Sequence, residues 1–435
     1  MMKLKQDLLF LVVDNQYVIV DFTTFFRSDD WSFTFCQSEV LFNRLKEHHR
    51  LGLPLTDFTL QQFAQKENLI FTQVEPEKTS THLNFWLQTT NKCNLNCTYC
   101  YIPSLHSTQE IDPNLFDLLK TKILQEPNIQ SVGIKISGGE PLLVFAKWHK
   151  EITAFKQALS QSGIRLHLQL NTNLVGFRKH KNCEQIIRFI KENQVNIAVS
   201  LDGTQEIHDA HRVIFRSNKG SFHNVMENIL FLLEQGITPA LLLTLTTGNP
   251  DHILPIIDFA VTHKLDFRIC DVKGVGFTNQ DFITVFNALA HYFEKKIQEG
   301  YLLSHHMLVS DLNLHRPQEN PCAMGTKGAA LYLNGDLYFC HSEFNKGKPI
   351  GTLSEKQSLV EIIKRGKAIQ YVNNSDCKKC NFRKVCASGC PLYRKESKSP
   401  MCFAHKTIIP QIFSLYIKEH LITQKGNDYE FSLTH

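Results

Sequence analysis

The stretch Asn91-Lys-Cys-Asn-Leu-Asn-Cys-Thr-Tyr-Cys-Tyr101 brings the thiols of Cys93, Cys97 and Cys100 into one short loop. A 4Fe-4S cluster bound entirely by protein takes four cysteine ligands. Three ligands leave one iron free to bind a substrate or a cosubstrate. The loop therefore predicts an iron-sulfur cluster that acts as a catalyst and not only as an electron carrier.

Thiolates also bind zinc, so a structural zinc site is the alternative interpretation of this loop. Such a site normally has a fourth ligand close by, whereas the nearest histidines are His82 and His106. The pattern CxxxCxYC resembles the radical S-adenosylmethionine (SAM) superfamily. That resemblance implies an open iron that binds the amino and carboxylate groups of SAM.

The composition indicates a large folded protein under reducing conditions. The chain has 435 residues, 43% of them hydrophobic, enough for two or three domains. Only six apolar residues, Leu8–Val13, follow the charged start, too few for a secretory or membrane segment. The thirteen cysteines fall mostly in tight clusters, which favours metal ligation over disulfides. We expect a cytoplasmic protein without a membrane partner, and free thiols at Cys36, Cys183 and Cys270.

The net charge of +5 is unevenly distributed, because residues 375–424 hold nine Lys/Arg against three Asp/Glu. These basic side chains could offset the negative charge of a thiolate-bound cluster, or form an ordinary solvated face. An extended basic and aromatic stripe that could follow a phosphate backbone is absent from the sequence. We therefore expect no nucleic-acid partner.

Strands and helices alternate along the sequence from Leu83, where apolar residues recur at every second position. Further strands are predicted at residues 131–136, 164–170, 195–201, 240–246 and 265–270. Helices are predicted at residues 112–125, 144–162, 182–193, 222–235 and 251–263, with prolines near two of the starts. Six strand-then-helix units imply parallel strands and right-handed crossovers. The predicted fold class is α/β, a partial (β/α)6 TIM-like barrel with a lateral gap.

Polar motifs follow directly on four of these strands. After the cysteine loop come Ser137-Gly-Gly-Glu-Pro-Leu142, Asn171-Thr-Asn173 and Ser200-Leu-Asp-Gly203. The carboxyl ends of parallel barrel strands meet at one rim, where active sites are built. The sequence therefore predicts an active site at this rim.

The resemblance to radical SAM enzymes implies SAM-binding roles for residues of these motifs. Residues Gly138, Gly139 and Glu140 would lie against the methionine amino group, the glycines allowing close backbone approach. Tyr99 would lie near adenine, Ser200 and Arg212 would bind the carboxylate, and Asn171 with Asn173 would approach the ribose. Residues 200–212, followed by Gly220-Ser-Phe222, resemble the radical SAM enzymes that act on peptides and proteins.

A second group of cysteines lies near the C-terminus, in the order Cx12Gx4C, a gap, Cx2Cx5Cx3C, a gap, C. This order resembles the SPASM domain, which carries two auxiliary iron-sulfur clusters, and the resemblance implies that both are of the 4Fe-4S type. The resemblance implies that the outer cluster is bound by Cys377, Cys380, Cys386 and Cys402. It implies that the inner cluster is bound by Cys322, Cys340 and Cys390, with either a further ligand or an open iron. A zinc ribbon is the alternative for these cysteines.

His341 follows a predicted cluster ligand, so we expect it near the inner cluster and the substrate. Sulfatase-activating relatives carry an aspartate here as proton acceptor. The histidine could do the same work near neutral pH.

Four segments are predicted along the chain. Residues 1–82 form an N-terminal α+β module with a hairpin, helices near 39–50 and 58–67, a strand at 69–74 and a linker at 75–81. Its content fits a winged-helix module that recognises leader peptides, or a structural extension of the barrel. Residues 83–300 form the radical SAM core, residues 301–405 the SPASM domain, and residues 406–435 a C-terminal helix and tail.

The sequence therefore predicts a radical SAM/SPASM enzyme with three iron-sulfur clusters and SAM. We expect it to abstract hydrogen from a ribosomally made precursor peptide and to form a thioether or carbon-carbon cross-link. Flavodoxin or ferredoxin would donate the electron. Alternatives are oxidation of Cys or Ser to formylglycine on a protein substrate, and maturation of a peptide-derived redox cofactor. A non-catalytic electron carrier and a zinc-dependent binding module are alternatives of other classes.

Overall fold

The computed structural model describes residues 2–5, 8–13, 15–21, 33–70, 82–102, 105–274, 276–315, 318–344 and 346–432, with side chains to residue 423. The strands are β1 (Leu8–Val13), β2 (Gln16–Asp21), β3 (Phe33–Cys36), β4 (His82–Gln88), β5 (Leu95–Cys97), β6 (Ser131–Ser137), β7 (Arg165–Thr172), β8 (Asn196–Ser200), β9 (Arg212–Ile214), β10 (Ala240–Leu245), β11 (Phe267–Asp271), β12 (Met307–Val309), β13 (Gly328–Leu331), β14 (Asp336–Tyr338) and β15 (Gly351–Thr352).

The helices follow the same order along the chain. They are α1 (Glu39–Leu51), α2 (Phe58–Lys66), α3 (Asn114–Gln125), α4 (Phe145–Gln161), α5 (Cys183–Asn193), α6 (Gln205–His211), α7 (Phe222–Glu234), α8 (Leu254–Thr262), α9 (Asn279–Gln298), α10 (Leu303–His306), α11 (Leu359–Lys364), α12 (Lys367–Gln370), α13 (Ser375–Lys378), α14 (Arg383–Cys386) and α15 (Cys402–Ser432). Short 3-10 helices cover Pro141–Val144, Pro250–His252 and His341–Glu343.

The central sheet has ten strands in the order β12-β11-β10-β8-β7-β6-β4-β13-β14-β15. The six predicted core strands, β4, β6, β7, β8, β10 and β11, are neighbours in chain order and pair in parallel. Helices follow the strands as predicted, with ends shifted by a few residues at most. The α/β prediction with a parallel core is confirmed.

Alternating side chains give the sheet two faces. Leu83, Phe85 and Leu87 of β4 are almost fully buried in the main hydrophobic core, while Trp86 between them is half-buried and faces the other way. The same alternation turns Lys135 of β6 and Arg268 of β11 away from the helices. Although β7, β8 and β10 lie between β6 and β11, the charge of Arg268 lowers the pKa of Lys135. The sheet therefore curves around this inner face, as a partial barrel does; we call the space it encloses the lumen.

Two strands from beyond residue 300 extend this parallel sheet, which the sequence analysis did not predict. Strand β12 pairs with β11, and β13 pairs with β4 on the opposite edge. Both are only three or four residues long, too short for a clear period-two pattern. Strand β13 forms a hairpin with β14, which brings the segment around Cys340 to the edge of the core.

The N-terminal segment forms a separate antiparallel sheet in the order β1-β2-β3. Leu8, Phe10 and Ile19 on one face pack with α1 and α2 in a small core of their own, while the opposite face joins the main core. The predicted hairpin and both helices are confirmed, and β3 was not predicted. Of the predicted strand at 69–74, Ile70 forms a bridge with Leu4; residues 71–74, the hairpin-turn residue Asp14 and the predicted linker at 75–81 lie outside the described residues.

The last helix packs against both α9 and the N-terminal sheet. Helix α15 begins at Cys402, four residues before the predicted segment boundary, so a predicted cluster ligand is its first residue. Phe33 of the N-terminal module contacts His420 of this helix with ring centroids 5.5 Å apart. In the part of the chain that the structure describes, no helix combines the length and the apolar character needed to cross a bilayer.

Candidate active site

The three cysteines of the first loop lie at the carboxyl end of β4. A short antiparallel ladder of β5 with β9, which the sequence analysis missed, holds this loop and pairs Cys97 with Arg212. Burial raises the pKa of all three thiols, that of Cys93 to about 12. The neighbouring thiols raise the pKa of Cys93 further. Buried thiols this close together need a cation to become thiolates, and bound iron supplies that charge. The donor set therefore fits an iron-sulfur cluster.

Arg212 approaches this loop and is held by a buried carboxylate. Its Nε donates to Asp202 Oδ2 at 2.7 Å, and its Nη1 lies 3.8 Å from Cys97 Sγ. The hydroxyl of Tyr99 also donates to Asp202 Oδ2, and the guanidinium lies 5.4 Å from the centre of the Tyr99 ring. Asp202 is fully buried. It is the shared support of Tyr99 and Arg212, a role that the sequence analysis did not assign although the residue lies inside a quoted motif.

The glycine motif packs directly on the backbone that leads into the cysteine loop. Gly139 N donates to Thr90 O, and Glu140 N donates to Lys92 O, both at 2.7 Å. A Cβ atom on Gly139 would lie 2.2 Å from Lys92 O, and one on Gly138 would lie 2.8 Å from Thr90 O. Both positions therefore require glycine, because any side chain would push the two rim loops apart.

The carboxylate of Glu140 joins the second and third rim motifs. It accepts hydrogen bonds from Thr172 Oγ1 and Asn173 N at 2.7 Å each, and from Leu142 N at 3.1 Å. Burial nevertheless raises its pKa to about 7. These contacts give the side chain a supporting role within the rim, and its predicted contact with the methionine amino group stays a prediction.

The remaining predicted SAM contacts also lie at this rim. Asn173 Nδ2 donates to Asn94 Oδ1 at 2.8 Å and lies 3.7 Å from Cys93 Sγ, so its amide supports the cysteine loop. Asn171 Oδ1 accepts from Gln169 Nε2 at 2.7 Å. Ser200, at the end of β8, has no hydrogen-bond partner for its hydroxyl among the described residues. The predicted contacts of these residues with ribose and carboxylate stay predictions.

Four of the C-terminal cysteines line one pocket. They are the predicted ligands of the outer cluster, Cys377, Cys380, Cys386 and Cys402. Burial, followed by the three neighbouring thiols, raises the pKa of Cys386 to about 12. His405 lines the same pocket, and its Nδ1 lies 3.2 Å from Cys386 Sγ. The arrangement fits a four-ligand cluster, with a histidine beside one ligand that the sequence analysis did not single out.

The other three C-terminal cysteines lie close enough to influence one another. Burial raises the pKa of Cys340, and Cys322 raises it further. Burial also raises the pKa of Tyr393, and both Cys390 and Cys340 raise it further. The pKa of Cys390 is about 12, chiefly because it is buried. Gln370 Nε2 donates to Cys322 Sγ, and Ser342 Oγ donates to Cys340 Sγ, both at 3.4 Å. Hydrogen-bond donors such as Gln370 Nε2 and Ser342 Oγ stabilise the negative charge of a thiolate ligand.

Zinc sites would bring their ligand atoms within about 2.3 Å of one ion. Within the described ranges, no three His, Cys, Asp or Glu side chains are close enough to share a single metal ion. The remaining cysteines, Cys36, Cys183 and Cys270, are not in disulfides, as predicted, and the thiols of Cys36 and Cys270 donate to Ser38 O and Leu243 O.

His341 lies at the junction between the lumen and the inner cysteines. Its ring stacks on Trp86 with centroids 3.7 Å apart and contacts the edge of Tyr101. Its Nδ1 lies 3.6 Å from Cys340 Sγ. Burial, Lys135 and Arg268 lower its pKa to about 3, so the ring is neutral at physiological pH. It lies beside Cys340, a predicted ligand of the inner cluster. Its nearness to the cluster and the substrate, and its role as a proton acceptor, stay predictions.

Residues 87–260, which span the cysteine loop and the rim motifs, match the family model of the Radical SAM superfamily. The chain contains a radical SAM domain. A radical SAM domain implies a 4Fe-4S cluster and SAM as cofactors.

Relatives in sequence and in structure are similar to this chain over most of its length. A cysteine-type anaerobic sulfatase-maturating enzyme from Clostridium novyi is 26% identical over 330 residues, 69% of this chain and 85% of that protein. The structure of native anSMEcpe with bound AdoMet (SAM) and the Cp18Cys peptide has a TM-score of 0.64 at 17% identity, over 78% of this chain and 99% of that one. Streptococcus suis SuiB bound to the precursor peptide SuiA has a TM-score of 0.53 at 14% identity, over 92% of this chain and 98% of SuiB. At these identities the two structures show a shared fold.

Proposed function

We propose that this radical SAM enzyme matures a ribosomally made precursor peptide by forming a thioether or carbon-carbon cross-link. Its cofactors would be the SAM-binding cluster at Cys93, Cys97 and Cys100 and two auxiliary clusters at the C-terminal cysteines. When bound, the first cluster and SAM supply a 5'-deoxyadenosyl radical. In the cross-linking reaction the peptide loses one hydrogen atom to that radical, one proton, and one electron. Flavodoxin or ferredoxin would supply the electron for SAM cleavage, in the cytoplasm.

The position of the inner cysteines is the observation that carries this proposal. The β13-β14 hairpin adds to β4, and the stacked pair of His341 on Trp86 directly joins Cys340 to the lumen. A peptide residue in the lumen would therefore lie between the SAM site at the rim and the inner cysteines. An auxiliary cluster there could accept the electron that is released when the cross-link closes, or hold a substrate thiolate.

The N-terminal module offers a place for the leader part of the peptide. Among the described residues no strand pairs with the outer edge of β3, where the Phe35 side chain is 38% exposed. An extended peptide can add to such an edge through backbone hydrogen bonds. SuiB, which has a similar fold over most of its length, has been solved with its precursor peptide bound. We propose that the leader of the substrate adds to β3.

Formylglycine formation on a protein substrate is the second candidate, and the C. novyi sulfatase-maturating enzyme favours it. His341 stands where the sulfatase-activating family carries an aspartate as proton acceptor. A neutral imidazole with a pKa of about 3 would accept a proton poorly. Both reactions release a proton, so it is the departure from the family's aspartate, and not the basicity of His341, that favours cross-linking over formylglycine formation.

The test uses a short cysteine-bearing or repeat-bearing peptide encoded beside the gene for this protein. The anaerobically reconstituted enzyme is incubated with the peptide, SAM and a reductant, and the product is analysed by mass spectrometry. Cross-linking predicts the loss of two hydrogens with all sulfur retained, and a fragment pattern interrupted between the joined residues. A product that reacts with a hydrazide probe contains an aldehyde and would establish formylglycine formation instead.

A further inference from the structure

A single arginine contacts the chain segment that joins the two predicted auxiliary clusters. Cys386 is a predicted ligand of the outer cluster, Cys390 is a predicted ligand of the inner one, and residues 387–389 lie between them. Arg394 Nη2 donates to Ala387 O at 2.8 Å, and its Nε donates to Ser388 O at 3.2 Å. One guanidinium therefore holds two consecutive carbonyl groups between the two ligands.

The segment that Arg394 holds has an unfavourable backbone conformation. Ala387, Ser388 and Gly389 have φ angles of 45°, 63° and 71°, so three consecutive residues lie in the left-handed region. For residues with a Cβ atom this region costs free energy, and such strain persists only where surrounding contacts fix the chain. The two hydrogen bonds from Arg394 to the carbonyl groups are contacts of this kind.

The third hydrogen bond of the same guanidinium leads to the inner cysteines. Arg394 Nη1 donates to Gln370 O at 3.0 Å. Gln370 is almost fully buried, and its Nε2 donates to Met324 O at 2.8 Å and to Cys322 Sγ at 3.4 Å. Gln370 thus connects Arg394 to a predicted ligand of the inner cluster, in addition to the connection through the segment that ends at Cys390.

The charge of Arg394 has no carboxylate partner in the part of the chain that the structure describes. Its three hydrogen bonds there all go to backbone carbonyl groups. Burial lowers the pKa of the guanidinium, and thiols of both cysteine groups, Cys390 and Cys322 of one and Cys377 and Cys386 of the other, oppose that shift. A half-buried cation is stabilised by a nearby anion. Two thiolate-bound clusters would supply that negative charge.

We propose that Arg394 is a positioning residue shared by the two auxiliary clusters, and that its positive charge raises the reduction potentials of both. This inference rests on the auxiliary clusters of the proposed function. A positive charge beside a cluster favours the reduced form, which carries one more negative charge. Each cluster then accepts more readily the one electron that the cross-linking reaction releases.

The test is an EPR-monitored redox titration of the anaerobically reconstituted full chain. SAM changes the signal of the first cluster, which identifies the two auxiliary signals. Arg394→Gln can still donate to a carbonyl group but lacks the charge, whereas Arg394→Lys keeps the charge. In Arg394→Gln we expect the reduced-to-oxidised ratio of each auxiliary cluster at the wild-type midpoint to fall roughly tenfold, which is about 59 mV for one electron. Both potentials should stay close to the wild-type values in Arg394→Lys and in Lys395→Met, which removes the exposed lysine next in the chain.

A shift in only one auxiliary cluster, or in neither, overturns the proposal, as does an equal shift in Arg394→Gln and Arg394→Lys. Iron and sulfide analysis of each variant reveals a lost cluster. Loss of both auxiliary clusters from Arg394→Gln alone supports the shared role of the charge, whereas loss of one cluster only, or loss from both variants, overturns it.

The same titration separates this proposal from the proposed function. A wild type without two auxiliary signals would contradict the proposed cofactors and this proposal with them, whereas signals that do not shift contradict only the role of Arg394. Because no peptide is present, the result does not depend on the bond that the enzyme forms.

Discussion

Asp202 and Arg212 form a buried ion pair in which Arg212 Nε donates to Asp202 Oδ2 at 2.7 Å. The other end of the guanidinium reaches Cys97 Sγ, so the pair connects the end of β8 to the cysteine loop. Asp202 Oδ1 also accepts from Thr244 N at 3.1 Å, which anchors the carboxylate to β10. The position of Arg212 at the rim is therefore fixed by the barrel.

The first prediction concerns the support that Asp202 gives to Arg212 and Tyr99. Asp202→Asn keeps the shape but removes the charge that holds Arg212 and Tyr99, so we expect SAM to bind about tenfold more weakly. Binding is measured by the change that SAM causes in the EPR spectrum of the reduced cluster. The matched control is Asp209→Asn, because Asp209 accepts from Ser221 N and Phe222 N but not from Arg212. Equal affinity in Asp202→Asn and the wild type would contradict the role given to Asp202.

The second prediction concerns the pH dependence of stability. Burial raises the pKa of Glu140 from its usual 4.5 to about 7, so the folded chain keeps a proton that the unfolded chain has released. The contribution of this proton to the free energy of unfolding is therefore full below the unfolded pKa and is lost as the pH rises toward 7. Relative to Glu140→Gln, the wild type should lose about 3 kcal/mol between pH of about 4.5 and about 7.5. The measurement is denaturant unfolding of both proteins at the two pH values, and a constant difference between them would refute the prediction.

The third prediction concerns His405 and the outer cysteines. With Nδ1 protonated, His405 donates toward Cys386 Sγ at 3.2 Å, and hydrogen bonds to cluster sulfurs raise reduction potentials. His405→Phe should therefore lower the potential of the outer cluster by roughly tens of millivolts. An EPR-monitored redox titration measures this shift. His315→Phe replaces another mostly buried histidine, one that contacts Met307 O, and should leave the potential unchanged; equal potentials in all three proteins would rule out the hydrogen bond.

The fourth prediction separates radical formation from product formation at His341. If the imidazole accepts the substrate proton, His341→Gln should still release 5'-deoxyadenosine but form peptide product about a hundredfold more slowly. If the ring acts only through its stack on Trp86, Trp86→Phe should reduce the product rate by a similar factor. Both rates are followed by chromatography in one reaction. An unchanged product rate in both variants would show that the stacked pair has no part in the reaction.

The strands and helices of the core could be predicted from the sequence because the patterns that indicate them are local. Apolar alternation in β4 and β6 and helix starts such as Asn249-Pro250 depend on neighbouring residues, and the predicted order of the core strands is the observed one. The cysteine groups were also visible from spacing alone. The glycine pair was explained by the resemblance, and the structure adds the reason, which is the close backbone contact with Thr90 and Lys92.

The elements that were not predicted depend on contacts between residues that are far apart in the sequence. The pairing of β5 with β9 joins residues more than a hundred positions apart. Strand β13 likewise pairs with β4, which lies far from it in the sequence. The supporting role of Asp202 likewise depends on Tyr99 and Arg212 arriving from two different loops.

The central claim is that the cluster at Cys93, Cys97 and Cys100 keeps one iron open for SAM. Electron-nuclear double resonance on the reduced enzyme with SAM labelled isotopically in its carboxylate group tests this contact directly. We predict a hyperfine coupling from the label that requires direct ligation to iron, and its loss in Cys97→Ala. Absence of that coupling in an iron-replete wild-type enzyme that also forms no 5'-deoxyadenosine would contradict the account.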